Sequence, residues 1–95
     1  MNVKAFSMIA FLYDSVSALI PVGFMFLECT EGLEDVLLQE IKEIPSVVYA
    51  YKVDKSYDLV IKIESDSVER FTLAIARIRK LGNLLNTDTM VGFKE

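Results

Sequence analysis

The residue types that carry most enzyme chemistry are scarce in this sequence. Its 95 residues include no histidine and one cysteine, Cys29. Histidine is the commonest general base and the commonest metal ligand, so its absence removes the usual route to acid–base catalysis. A cysteine becomes a strong nucleophile when a nearby cation lowers its pKa, whereas Cys29 ends a mostly apolar predicted strand. We therefore expect an inert buried thiol, no catalytic residues and no enzyme.

Carboxylates could hold a divalent cation, and four of them lie at the ends of predicted strands: Glu28, Asp54, Asp58 and Glu64. A calcium-binding loop places its oxygen ligands at alternating positions within one short segment. These four carboxylates do not have that spacing. We therefore predict no metal and no cofactor.

Charge and composition narrow the classes of partner. There are 14 acidic and 10 basic side chains, a net charge of −4, and the only basic cluster is Arg77, Arg79 and Lys80. Such a cluster also suits the end of a helix, so we predict no direct contact with nucleic acid.

Apolar residues make up 53% of the chain, more than in ordinary soluble domains, and this excess indicates a subunit interface. A single cysteine cannot form an internal disulfide and suits a cytoplasmic protein.

Residues 1–21 form an apolar N-terminal extension that differs from the rest of the chain. Lys4 and the apolar run after it loosely resemble a signal peptide. Asp14 interrupts the run too early for a membrane span. The third alternative, which we favour, is a short amphipathic helix or loosely ordered segment that Pro21 and Gly23 terminate. We predict no association with a membrane.

Residues 22–95 show the periodicities of four strands and two helices. Alternating apolar residues predict strands over 22–29, 47–54, 57–64 and 84–93, and apolar stripes at helical spacing predict helices over 33–44 and 68–81. The first strand is apolar on both faces, which is typical of a central strand. Candidate helix caps are Thr30 for the first helix, and residues 65–67 with the Gly82-Asn83 pair for the second.

The order strand, helix, strand, strand, helix, strand predicts an α+β, ferredoxin-like β-α-β-β-α-β sandwich. Right-handed crossovers place both helices on one face of a four-stranded antiparallel sheet. The first strand carries Phe24 and Phe26 on one side and Met25 and Leu27 on the other. Both sides need cover, yet the helices cover only one. We therefore predict a homodimer that forms through the other face of the sheet.

Five segments, in this order, resemble the effector-binding domain of the Lrp/AsnC family, also called the regulation of amino-acid metabolism domain. They are residues 24–28 (FMFLE), 31–34 (EGLE), 44–48 (IPSVV), 57–60 (YDLV) and 87–91 (TDTMV). Full-length members of that family also carry a helix-turn-helix domain, which about twenty mostly apolar residues cannot encode. The chain is therefore similar to the stand-alone members.

The resemblance implies dimers that assemble into higher oligomers, and an amino acid or similar small effector held between neighbouring dimers. It also implies possible association with full-length family regulators. A zwitterionic effector needs a carboxylate for its ammonium group, and hydroxyl and N–H groups for its carboxylate. By correspondence with the family, the ligand-binding residues would be Lys55, Ser56, Tyr57, Asp58, Thr87 and Thr89.

Each of these residues has a plainer alternative role. Asp58 could simply open a strand, Thr87 and Thr89 could only satisfy strand propensity, and the tyrosines at 49, 51 and 57 could pack at an interface rather than form an aromatic cage. Ser56 stands where the family commonly has glycine. The predicted function is a non-enzymatic regulatory module; the alternatives are a pure oligomerisation domain with a degenerate pocket and a small dimeric enzyme.

Overall fold

The computed structural model describes residues 20–94 and gives the predicted order of elements. The extension over 1–21 therefore lies outside the described residues, apart from its last two. The elements are β1 (Ile20–Cys29), α1 (Glu34–Lys42), β2 (Val47–Lys52), β3 (Leu59–Glu64), α2 (Val68–Arg79) and β4 (Leu84–Lys94).

The four strands form one antiparallel sheet in the order β2-β3-β1-β4, so β1 is central as predicted. Its residues Met25 and Leu27 are fully buried against both helices. The buried core contributed by the helices is Leu37 and Ile41 from α1, with Phe71, Ala74, Ile75 and Ile78 from α2. The predicted ferredoxin-like fold is confirmed, with a single core between the helices and one face of the sheet.

The other side of the sheet, here called the open face, has no helix over it in the described chain. Residues paired on neighbouring strands share a face, so the register extends the Phe24 and Phe26 side of β1 across the sheet. The residues that the register places on the open face are Ile20, Val22, Phe24, Phe26, Glu28, Tyr49, Tyr51, Val60, Lys62, Glu64, Asn86, Asp88, Met90, Gly92 and Lys94. Among these, Tyr51 is 60% and Met90 62% exposed.

Several boundaries differ from the predicted ones. β1 begins at Ile20 and includes Pro21, which is tolerated because pairing with β3 begins only at Val22. The prediction that Thr30 caps α1 is wrong. The helix starts after Leu33, which makes no side-chain cap, and the Thr30 hydroxyl instead donates to the carbonyl oxygen of Asn83 at 3.3 Å.

The predicted N-terminal cap of α2 is confirmed, and its predicted C-terminal cap is wrong. Ser67 caps the start, because its hydroxyl oxygen accepts the Arg70 N–H at 3.1 Å. The C-cap is Lys80 rather than the Gly82-Asn83 pair. Asn83, not Gly82, has the left-handed backbone, with φ of +72°, because asparagine tolerates that conformation better than most residues. Neither helix within residues 20–94 has the length and apolarity needed to cross a membrane.

Gly23 allows α2 to lie close to the centre of the sheet. A Cβ atom at this position would be 2.8 Å from Cζ of Phe71, whose ring is fully buried. Real Cβ atoms do not approach other atoms so closely, so any side chain here would push the ring outward. Because Phe71 lies in a close-packed core, that movement would disturb its other contacts as well.

We predict that Gly23→Ala lowers the free energy of unfolding by about 1–3 kcal/mol, the usual cost of overpacking a core. The matched control is Gly82→Ala, because a Cβ at Gly82 meets nothing within 4 Å. Urea unfolding monitored by circular dichroism measures both variants. Equal midpoints for the two variants would contradict the close packing of Phe71 on Gly23.

Candidate functional site

Backbone hydrogen bonds hold the turn between β2 and β3 in a defined conformation. The Tyr57 N–H donates to the Lys55 carbonyl oxygen at 2.7 Å, and Ser56 between them has φ of +67°. This combination is that of a γ-turn with a positive φ at its centre, which is rare for a residue other than glycine. The Val53 N–H closes the wider turn by donating to the Asp58 carbonyl oxygen at 2.9 Å.

Ser56 adopts the backbone conformation that glycine adopts most easily. The left-handed region costs a residue with a side chain about 1–2 kcal/mol. The resemblance described above led us to expect glycine at this position, and Ser56 has the positive φ that glycine would favour.

Asp58 fastens this turn to the end of β1. Its carboxylate oxygen Oδ2 accepts the Cys29 N–H at 2.8 Å, and its own N–H donates to the Leu27 carbonyl oxygen at 2.8 Å. Burial, reinforced by the negative charge of Asp58, raises the pKa of the Cys29 thiol to about 11. The thiol is 4% exposed and protonated at neutral pH, as expected of an inert cysteine.

An open cavity of about 440 Å³ lies where the turn meets the open face. The rings of Phe26 and Tyr57 stand 5.7 Å apart between centroids at its wall. Asp88 belongs to the same wall because it pairs with Phe26 across β1 and β4. The lining residues are Phe26, Val53, Asp54, Lys55, Ser56, Tyr57 and Asp88.

A second cavity, of about 590 Å³, lies beside α1 and includes Asp58. Its other lining residues are Glu34, Lys52, Val53 and Asp54. Lys52 makes an ion pair with Asp35 at 2.9 Å, and this hydrogen-bonded contact raises the pKa of Lys52. No cluster of three or more His, Cys, Asp or Glu side chains within residues 20–94 has the geometry to hold a metal ion.

The threonines of β4 lie apart from both cavities. Thr87 and Thr89 pair with Leu27 and Met25, so they face the helices. The Thr89 hydroxyl oxygen accepts a hydrogen bond from Nη2 of Arg79 at 3.3 Å. The structure thus brings together Lys55, Ser56 and Tyr57, places Asp58 in the adjoining cavity, and separates the two threonines from them.

The three tyrosines proposed as an aromatic cage also lie in two separate places. The rings of Tyr49 and Tyr51 lie 5.1 Å apart on the open face, and Nζ of Lys62 is 6.0 Å from the Tyr49 centroid. Tyr57 lies instead at the turn, against Phe26. The three tyrosines therefore do not form one cage. Phe26 and Asp88 are cavity residues that the sequence analysis missed, although strand alternation places both on the open face.

The chain belongs to the Lrp/AsnC ligand binding domain family, whose sequence model matches residues 23–95. No curated protein sequence matches the chain. The family assignment and the fold agree with the resemblance carried by the five segments.

Solved structures share the fold of this chain. The hypothetical protein PHS023 from Pyrococcus horikoshii is 29% identical, with a TM-score of 0.74 over 79% of this chain and 92% of that one. FFRP-DM1 is also 29% identical, with a TM-score of 0.71 over 76% of this chain and 97% of that one. E. coli AsnC shares the fold at 16% identity and a TM-score of 0.68; the match covers 100% of this chain and 59% of AsnC.

We predict that Asp58→Ala lowers the free energy of unfolding by about 1–3 kcal/mol, because the half-buried Cys29 N–H loses its acceptor. Asp54→Ala is the matched control, since Asp54 is an exposed carboxylate of the same turn. Thermal denaturation without any ligand measures the difference. If both variants melt alike, Asp58 does not fasten the turn, and a ligand-binding role alone would remain for it.

We predict that Ser56→Gly stabilises the protein by about 1 kcal/mol, because glycine adopts a positive φ without steric cost. Ser56→Ala is the comparison variant; it removes the hydroxyl but keeps the Cβ, so it should give no gain. Chemical denaturation of the three proteins tests this. A gain with alanine as large as that with glycine would show that the backbone conformation is not the cause.

Proposed function

We propose that this protein is a non-enzymatic regulatory module that binds an amino acid or related small effector and acts by assembly. Its family is defined by a ligand-binding domain. The observation that carries the proposal is the cavity at the γ-turn, where Lys55, Ser56 and Tyr57 converge with Phe26 and Asp88. The single protonated, buried thiol and the absence of histidine favour binding over catalysis.

The chemistry of the cavity suits a zwitterion. The Lys55 ammonium can attract a carboxylate, and the Asp54 and Asp88 carboxylates can attract an ammonium group. The rings of Phe26 and Tyr57 provide an apolar wall for an aliphatic or aromatic side chain. The cavity is open to one side, so we propose that a second subunit or dimer completes it.

Assembly is the second part of the proposal. The open face carries aromatic and aliphatic side chains on all four strands, and in a monomer they would face water. Burial of apolar surface contributes roughly 25 cal/mol per Å², so pairing two open faces is strongly favoured. We propose a homodimer built this way, higher oligomers of dimers, and association with full-length regulators of the family in the cytoplasm.

One observation favours a second candidate function, a pure oligomerisation domain. Asp58 already accepts the Cys29 N–H, and Thr87 and Thr89 face the helices. Of the six ligand-binding residues that the resemblance implies, one therefore has a structural role and two lie on the other side of the sheet from the cavity at the γ-turn. In this alternative the open face still pairs, but no effector binds.

Isothermal titration calorimetry with each of the twenty amino acids tests the proposal. We expect at least one to bind, and Lys55→Ala to weaken that binding about tenfold or more, as for a lost charge-assisted hydrogen bond. Lys80→Ala is the control, because Lys80 is an exposed lysine at the far end of α2. Absence of heat with all twenty, in a protein that is still dimeric, would favour the oligomerisation domain.

A further inference from the structure

The open face carries a projection and a hollow on the same strand. Met90 is 62% exposed, whereas Gly92, two residues further along β4, has no side chain. A Cβ at Gly92 would meet nothing within 4 Å. The hollow around it has a volume of about 310 Å³ and is lined by Val22, Phe24, Lys62, Gly92, Phe93 and Lys94.

Two pairs of opposite charges share this face. Lys62 and Glu64 lie on β3, and Asp88 and Lys94 lie on β4. The residue midway between the first pair is Ile63, and the residue midway between the second is Val91. The register pairs both of these with Gly23 on β1. One line across the strands, through Ile63, Gly23 and Val91, therefore bisects both charge pairs and also the Met90–Gly92 pair.

We propose that a second copy packs on the open face about a two-fold axis that follows this line. The inference rests on the proposed homodimer and adds its register. The rotation places each strand over the same strand of the partner subunit and reverses its direction. A residue on one side of the line therefore faces the residue that lies equally far on the other side. Lys94 then lies over Asp88 of the partner subunit, and Glu64 over Lys62 of the partner subunit. Met90 enters the hollow at Gly92 of the partner subunit.

The charges disfavour the other simple arrangement, with the axis parallel to the strands between β1 and β3. That rotation exchanges β3 with β1 and leaves each residue at its own level. Lys62 would then lie over Phe24 of the partner subunit, and Glu64 over Val22 of the partner subunit. Lys62 and Glu64 would keep their ion pairs within the protomer, Lys62 to Glu64 at 4.0 Å and Lys94 to Glu64 at 2.9 Å. They would lose water, however, without gaining an opposite charge from the partner, which makes this arrangement the less favourable of the two.

The distances suit the crosswise axis. Stacked sheets pack about 10 Å apart, a gap that a lysine and an aspartate side chain together can span. Within one protomer, Asp88 and Lys94 are six residues apart on a strand, about 20 Å at the usual rise. They cannot contact each other there. Any energetic coupling between them must therefore pass through the partner.

A charge-exchange cycle tests this contact. Lys94→Glu and Asp88→Lys should each weaken the dimer about tenfold, and the double variant should recover to within about threefold of wild type. Lys94 also makes an ion pair with Glu64 at 2.9 Å; this pair is lost in Lys94→Glu and in the double variant but not in Asp88→Lys, so its loss cancels from the coupling between positions 88 and 94. The dissociation constant is measured by light scattering over a dilution series. Strictly additive effects would overturn the proposed register.

The hollow has its own test. Gly92→Leu should weaken the dimer at least about tenfold, because the new side chain occupies the space that Met90 of the partner subunit needs. Adding Met90→Ala should restore part of the affinity. Gly82→Leu, at a position outside the open face that is equally free of contacts, should leave the dimer unchanged. Circular dichroism confirms that each protomer is folded.

These outcomes separate the register from the proposed function. A wild-type protein that stays monomeric contradicts the homodimer itself. A dimer that shows no coupling between positions 88 and 94, and that tolerates Gly92→Leu, contradicts only the register. Binding of an amino acid is measured independently of both.

Discussion

The structure depends on one imbalance: a four-stranded sheet has two faces, and its helices cover one. The central strand β1 makes the imbalance severe, because it is apolar on both sides. Met25 and Leu27 are fully buried under the helices, while Phe24 and Phe26 remain on the open face. Because the hydrophobic effect scales with area, we propose that the uncovered side is the main driving force for association.

In the proposed function, the same imbalance connects assembly with ligand binding. Phe26 lies both on the open face and in the wall of the cavity at the γ-turn. Asp88 joins these regions too, since it pairs with Phe26 and stands at the edge of the sheet. In the proposed assembly, a partner that covered the open face would therefore change the surroundings of a ligand in the cavity. By linkage, a ligand that binds the assembled form more tightly stabilises that form.

Much of the fold could be predicted from the sequence because two periodicities differ clearly. Alternation in the strands and three-to-four spacing in the helices gave the order of elements and the central position of β1. Strand alternation also indicates the face of the sheet on which Asp88 lies, which is opposite to the face of Thr87 and Thr89. The family correspondence directed attention to the threonines, and the pairing of β4 with β1 shows that they face the helices.

Local competition between hydrogen-bond partners could not be predicted in the same way. Thr30 has the residue type of a helix cap, but its hydroxyl donates to Asn83, which is distant in sequence. Asp58 could have been a free ligand carboxylate, but the end of β1 supplies the Cys29 N–H to it. Ser56 and Asn83 have positive φ in turns whose shape the rest of the fold imposes. Such choices depend on contacts that only tertiary structure creates.

Sedimentation equilibrium of the wild-type protein at micromolar concentration tests the central claim most directly. Pairing of uncovered sheet faces predicts a mass of at least twice the 10.7 kDa of one chain, and a return to one chain mass when a charge replaces Phe24 at the centre of that face. A stable, folded species of one chain mass in the unaltered protein would contradict it.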